Sequence, residues 1–299
     1  MTINQLMCFV EVTRGLSFRR AAERLHLSQP SVSAHVHSLE QELGALLFER
    51  SGRRVRLTRA GEMLLPYAEN VLVAVDDART AVDSLYTVPR GMLRIGTTSS
   101  LVGTLVPPVV RQIQLLTPDV TVHLSVSNSE GVYRGLGSGE LDLGIAYRTH
   151  EDSTLEVVRL VDDEFLLVTA PASDALSSAV IDLEHLSALP VIVLEPHTGG
   201  RLALDAALVQ RGIALRIMME LSSSEAIKGM VMAGVAPGFV SRMAVGLELE
   251  TGSLREVPVA DLQVHHAVVA LFRASRTRTG PMRAGLRALA AAYPHAFPA

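Results

Sequence analysis

Apolar residues recur at helical spacing from the first turn of the chain. Leu6, Phe9, Val10 and Thr13 share one face of a helix that Thr2 can cap and that ends near Gly15. Ser17 can cap a second helix, Phe18 to about Leu25, in which the small pair Ala21–Ala22 admits a close neighbour. After a short turn at His26-Leu27-Ser28, the residues Val32, Val36, Leu39 and Leu43 form a buried stripe on a third helix. Ser28 is placed to cap it, Pro30 suits its first turn, and Gly44 suits its stop. Apolar and basic residues then alternate about Gly52, from Leu47 to Thr58, which predicts a two-stranded hairpin.

Thr58 can cap a long helix from Arg59, with Glu62 in its first turn and a bend at Pro66. Its seam runs Leu64, Ala68, Val71, Val75, Ala78, Val82, Leu85, a heptad spacing that predicts packing along a partner helix. Burial against its own chain is the alternative reading. Thr87-Val88-Pro89-Arg90-Gly91 reads as a hinge.

From Met92 the pattern changes to short apolar runs alternating with helical ones. Strands are predicted at Leu93–Gly96, Val120–Val126, Leu141–Ala146, Phe165–Thr169, Val191–Leu194, Leu215–Leu221, Ala236–Val240 and Val264–Phe272. Helices are predicted near Leu101–Leu116, Glu130–Ser138, Arg201–Arg211, Glu225–Ala233 and Arg242–Glu250. Such alternation argues for parallel sheets in an open α/β fold, with ligands taken at the C-terminal ends of the strands.

Charge separates the two regions. The 299 residues carry 27 basic and 31 acidic side chains, net −4. Residues 1–60 hold nine Arg and five Glu, net +4, which leaves 18 basic against 26 acidic in the remainder, net −8. A basic head on an acidic body points to an anionic partner for the head alone. Cys8 is the one cysteine, which excludes a disulfide framework or a thiolate zinc site within one chain. The first residues lack a basic stretch and a small-residue cleavage site, and no apolar run nears the roughly 20 residues of a membrane span. A cytoplasmic protein without membrane partners is expected.

The wet face of the third helix carries Pro30, Ala34, His37 and Ser38, with Ser31 and Ser33 on its shoulders. Small hydrogen-bonding side chains let a helix sink into the DNA major groove. Arg50, Arg53, Arg54 and Arg56 on the hairpin would meet the backbone or minor groove beside it. A small bundle with merely solvated arginines is the alternative.

The stretch FRRAAERLHLSQPSVSAHVHSLEQELGALLFER, followed by RRVRLTRAGE, resembles the DNA-binding head of the LysR-type transcriptional regulators. By position, Gln29, Pro30, Ser31 and Ser33 match the family's base-reading and backbone-contacting segment and Arg53 or Arg54 its wing; the helix and hairpin pattern adds Ser28, His37 and Arg50 as candidate DNA contacts. Ala34, His35 and His37 depart from the Arg, Gln or basic residues usual at those places.

Hydroxyl-rich segments follow several strands of the body: Thr97-Thr98-Ser99-Ser100, Ser127-Asn128-Ser129, Pro196 to Arg201, and Ser222-Ser223-Ser224. Each alone reads as helix capping. Together they predict a polar pocket between two lobes, suited to an anion. The body, through GMLRIGTTSSLVGTLVPPVV, ELDLGIAY and EAIKGMVMAGVAPGFVSR, is similar to the two-lobed periplasmic-binding-protein-like (type 2) effector domain of the same family. Its hydroxyl-rich segments resemble the branch with the carbon-fixation and sulfur-assimilation regulators. The resemblance implies a grip on the effector's anionic group by Thr98, Ser99 and Ser100, with Ser129, Thr198 and Ser222 also lining the cleft.

The architecture expected is therefore an all-α winged helix-turn-helix head (1–58), a linker and dimerisation helix (59–88) and an effector domain (89–299). Lobe I would comprise 89–161 plus 267–299 and lobe II 162–266, with crossover strands near Arg159–Asp163 and Val264–Ala267. The expected partners are double-stranded promoter DNA, a small anionic effector, and further copies of the chain as dimer or tetramer. No cofactor or metal is expected, and no enzyme activity. The alternatives are a solute-binding protein, or a small-molecule enzyme built on the body. Against an enzyme, the chain has no G-x-S-x-G, H-E-x-x-H or P-loop motif, and His265-His266 would face opposite sides of a strand. Lys228, the single lysine, is expected in solvent or at the cleft edge.

Overall fold

The computed structural model describes residues 1–51, 54–83, 90–171 and 180–297. Two compact units divide it, one of residues 1–83 with Gly137–Glu140 and the other of the remaining described residues from 90 to 297, and each is taken by itself.

The first unit opens with α1 (Ile3–Gly15), α2 (Phe18–Leu25) and α3 (Gln29–Leu43). Local chemistry sets each boundary. Thr2 and Gln5 form a reciprocal capping box on α1, Ser17 accepts from the Arg20 amide on α2, and Ser28 accepts from the Ser31 amide on α3 at 3.2 Å. Leu16, His26 and Gly44 end the three helices in the left-handed region. Phe9, Val12, Ala21, Val32 and Leu39 are fully buried where the helices meet. The stripe on α3 stops short of its expected length, because Leu43 sits beyond the last packed turn and is 43% exposed.

The wing follows as β1 (Phe48–Ser51) and β2 (Arg54–Leu57), antiparallel with Phe48 opposite Leu57. Glu40 of α3 fixes its start by accepting from the Leu47 and Phe48 amides at 2.8 and 3.2 Å. Thr58 then caps α4 (Arg59–Asp83), which carries Pro66 inside it. A methyl at Gly61 would stand 2.3 Å from the Leu47 carbonyl oxygen, so only glycine lets α4 lie this close to the wing. Ala68 is buried in the head's core, and Leu64, Leu65 and Leu72 pack on it, whereas Val71 and Ala78 are exposed. The near end of the heptad seam is thus covered by its own unit; Leu85 lies outside the described residues.

The second unit contains, in order, β3 (Gly91–Thr97), α5 (Val106–Leu116), β4 (Val120–Val126), α6 (Ser129–Gly137), β5 (Leu143–Tyr147), β6 (Glu156–Thr169), α7 (Leu183–Ala188), β7 (Pro190–Leu194), α8 (Gly199–Val209), β8 (Arg216–Leu221), α9 (Ser224–Met232), β9 (Gly238–Ser241), α10 (Arg242–Glu250), β10 (Arg255–Glu256), β11 (His265–Phe272) and α11 (Gly280–Ala292). The strand order is β4-β3-β5-β11-β6-β9-β7-β8, with β10 beside β6.

Four corrections to the expected body follow. The sheet is mixed: β3–β4, β3–β5, β7–β8 and β7–β9 run parallel, but β5–β11, β11–β6 and β6–β9 run antiparallel, because the crossover strands run against their neighbours. Phe165–Thr169 is the second half of the continuous strand β6, which pairs with β11 through Glu164 and with β9 from Phe165 onward. The helix expected from Leu101 begins at Val106, after hydrogen-bonded turns that start at the Thr98 carbonyl. Gly91, expected in the hinge, opens β3; residues 87–89 of that hinge lie outside the described residues.

Two lobes result. Lobe I packs α11 against β3, where a methyl at Gly285 would meet the Leu93 side chain at 2.8 Å, and α5 against α11 and β4. Lobe II packs α8 and α9 against β7.

Candidate functional site

In the head, Ser28, Gln29 and Pro30 are exposed at the start of α3, and Ser31 and Ser33 are half-buried on its shoulders. The Ser28 and Ser31 hydroxyls share a hydrogen bond of 2.8 Å, so the cap is held before any partner arrives. His37 is exposed one turn further along, its Nε2 3.1 Å from Gln41 Nε2 and its Nδ1 4.0 Å from Glu40. Arg50 and Arg54 occupy the wing strands, Arg50 opposite Val55 and Arg54 opposite Ser51; Arg53 lies outside the described residues. The exposed start of α3 thus offers a helix N-terminus and small polar side chains on one surface, flanked in sequence by the basic hairpin.

The body holds a cleft of about 320 Å³ between its lobes. Thr98, Ser99, Ser100 and Ser129 line it from lobe I, and Thr198 and Ser222 from lobe II, so all six expected positions meet at one cavity. Three helices of at least nine residues begin there: α6 at Ser129, α8 at Gly199 and α9 at Ser224. The helix dipoles and the first-turn N–H groups left uncapped present partial positive charge to a cleft whose lining also includes the carboxylate of Glu195. Thr198 stands at the N-cap of α8, but its hydroxyl donates to the Glu195 carbonyl at 3.0 Å and leaves the first turn uncapped. Among the described residues, the hydroxyls of Thr98 and Ser129 are buried with no hydrogen-bond partner. Buried polar groups are rarely left unmatched, so two such groups on one cavity leave hydrogen-bonding capacity there for a water or a ligand.

Ser100 Oγ lies 3.0 Å from Ser224 Oγ, a hydrogen bond that crosses from lobe I to lobe II. Below it, the Tyr147 hydroxyl donates to Asp163 Oδ2 at 2.7 Å, and Ser241 donates to the same oxygen. Burial first, then the negative charge of Asp163, push the Tyr147 phenol well above its ordinary pKa, so it remains a donor. Tyr147 and Glu195 are cleft residues that hydroxyl counting misses. The rule that ligands meet strand C-terminal ends would have found Tyr147, the last residue of β5.

Lys228 does not follow its expected placement. It is 7% exposed and bonds Glu225, Glu248 and the Ala244 carbonyl at 2.7, 2.8 and 3.0 Å, tying α9 to α10. Burial lowers its pKa, but the two carboxylates outweigh burial and hold it above the ordinary lysine value. His265 and His266 do not share a ligand: His265 is exposed, while His266 Nε2 bonds the Arg148 carbonyl at 2.7 Å. No three His, Cys, Asp or Glu side chains among the described residues are grouped to hold a metal, and no helix there is long and apolar enough to cross a membrane.

Residues 3–62 match the bacterial regulatory helix-turn-helix protein of the lysR family, and residues 87–294 match the LysR substrate binding domain. The chain belongs to the LysR family of transcriptional regulators. A similar relative, the probable RuBisCO transcriptional regulator of Synechocystis sp., is 32% identical over 96% of this chain and 85% of its own. Full-length OxyR from Pseudomonas aeruginosa matches with a TM-score of 0.75 and 26% identity, covering 99% of this chain and 96% of that one. CbnR in complex with its target DNA matches with a TM-score of 0.57 and 21% identity, covering 98% and 100%. The LysR chain studied here is thus a transcriptional regulator with a DNA-binding head and a ligand-binding domain.

Proposed function

We propose that this LysR regulator is a cytoplasmic, self-associating switch whose grip on promoter DNA is set by a small anion held, chemically unchanged, in the body's cleft. The observation that carries the anion is the pair of unpartnered hydroxyls, Thr98 and Ser129, among three helix N-termini. Ser99, Ser100, Thr198 and Ser222 complete the ring of donors. In the head, Gln29, Ser31 and Ser33 read base edges; Ser28, Pro30 and His37 set the fit of the helix, and Arg50, Arg53 and Arg54 hold the backbone.

Self-association follows from α4. Val71 and Ala78 of its seam are exposed, and a dimer pairs two seams and spaces two heads for two half-sites. A second contact between bodies makes the tetramer. The ligand acts by binding one arrangement of the assembly more tightly than another. Relatives named RuBisCO regulators make genes of carbon fixation the first promoters to test.

The test combines calorimetry with sulfate and phosphate, sedimentation of the full chain, and a salt-series footprint on the duplex upstream of its own gene. A dimer or larger, oxyanion binding weakened about tenfold in Ser129→Ala, and a protected palindrome are expected. A monomer indifferent to DNA at low salt refutes the proposal.

A further inference from the structure

Tyr147 is engaged on every side. Its ring stacks on His266 at 5.2 Å and lies 5.7 Å from the Phe165 ring. Gly199, the first residue of α8, presses on it so closely that a methyl there would stand 2.5 Å from Tyr147 Cβ. One part of it lines the cleft, as Ser100 does. Its own hydroxyl is given to Asp163, which is 1% exposed.

Asp163 sits opposite His266 in the ladder of β6 with β11, one residue before the last β11 pairing and two before β6 joins β9. Its other bonds run to lobe II: Ser241 donates to Oδ2, and the Met243 amide donates to Oδ1 at 3.3 Å. Hydrogen bonds therefore lead from Tyr147 at the cleft wall, through Asp163, to the start of α10. An interior packed like a crystal passes such a displacement on, because it has no space to absorb it.

We propose that Tyr147 is a positioning residue that passes the state of the cleft, through its hydroxyl and Asp163, to the junction of the two lobes. The proposal rests on the reading of the cleft as an oxyanion site. An oxyanion that enters the cleft against Tyr147 and the first turn of α8 shifts the phenol, and the phenol shifts Asp163 against Ser241 and the first turn of α10. Tyr147→Phe keeps the ring, its stacking and its contact with Gly199, and removes only the link to Asp163.

Sulfate, as the probe, is titrated by calorimetry into the full-length parent and into Tyr147→Phe, and hydrogen exchange is followed with and without it. In the parent, sulfate is expected to slow exchange at 98–100, in the first turn of α8 and in the first turn of α10. In Tyr147→Phe, protection at 98–100 and α8 is expected to persist and protection at α10 to vanish; in Ser241→Ala, outside the cleft lining, affinity is expected to stay within about twofold. A tyrosine serving stability alone would raise exchange through the body whether or not sulfate is present. Ser241→Ala, which cuts the far end of the line outside the cleft, must reproduce the loss, and it decides the matter if Tyr147→Phe does not fold. Protection at α10 that survives in the folded variant overturns this proposal while leaving the cleft reading intact. A loss of affinity beyond about tenfold makes Tyr147 an ordinary ligand contact and also overturns it. No sulfate binding by the parent removes the oxyanion reading itself.

Discussion

Gly200→Ala puts the packing at the cleft wall to a quantitative test. Gly200 is the second residue of α8, and an added methyl would stand 1.8 Å from Phe165 Cε1 and 1.9 Å from Cζ. Ordinary carbon contacts are about 3.5–4.0 Å, so ring and helix must part by nearly 2 Å. The ring is 5% exposed and backed by Tyr147, and it has nowhere to retreat. Overpacking of this kind costs about 1–3 kcal/mol. At roughly 2–4 °C per kcal/mol for a domain of this size, the melting transition of the body should fall by roughly 2–12 °C. Gly229→Ala is the matched control. It lies inside α9 with nothing within 4 Å of the new methyl, so it should gain roughly 0.5–1 kcal/mol from helix propensity alone. Scanning calorimetry of the full chain measures both, and Phe165→Leu added to Gly200→Ala should restore part of the loss. If Gly200→Ala melts at or above the parent while Gly229→Ala behaves as expected, the close approach of α8 to the ring is wrong.

Three further outcomes are expected. Lys228→Met should destabilise the body by about 1–3 kcal/mol, since it strands the largely buried Glu248, and Glu248→Gln should rescue it. Burial raises the Glu248 pKa, but Lys228 outweighs burial and holds it below the ordinary value; the contribution of Glu248 is therefore full above the ordinary glutamate range and is lost as pH falls through its lowered folded value, a slope that calorimetry should find flattened in Lys228→Met. Ser129→Ala removes a hydroxyl with no protein partner, so melting should hold or rise slightly while sulfate affinity in calorimetry falls about tenfold; a large drop in melting temperature would show that the hydroxyl has a structural bond. Arg53→Ala with Arg54→Ala should weaken binding to all duplexes and flatten the salt slope by about one unit per lost phosphate contact, and an unchanged slope would take the wing out of the interface.

The head was legible almost residue by residue, because its boundaries are written in short-range chemistry. Thr2, Ser17, Ser28, Thr58 and Gly44 each act within four residues of themselves, and helical periodicity reports the buried face directly. The body was legible as elements but not as a sheet. Nothing local distinguishes a strand that stays within one lobe from β6, which pairs first with β11 and then with β9, and antiparallel pairing of β6 with β11 is a contact between residues about a hundred apart. The second wall of the cleft was similarly visible only in part. Hydroxyls after strands marked Thr98, Ser129, Thr198 and Ser222, but Tyr147 ends an apolar strand and reads as core, which in large part it is. Lys228 was misplaced for the same reason: its carboxylate partner Glu248 is on another helix, and sequence spacing does not reveal that pairing.

The position of β11 has a consequence for synthesis. β11 is the strand between β5 and β6, yet it is the last strand to leave the ribosome, followed by α11, which covers β3. All of lobe II is translated while lobe I still lacks its central strand and its covering helix. The lobe begun first is completed last, and truncating the chain before His265 would leave the early half with open edges exposed to aggregation rather than a shorter functional sensor.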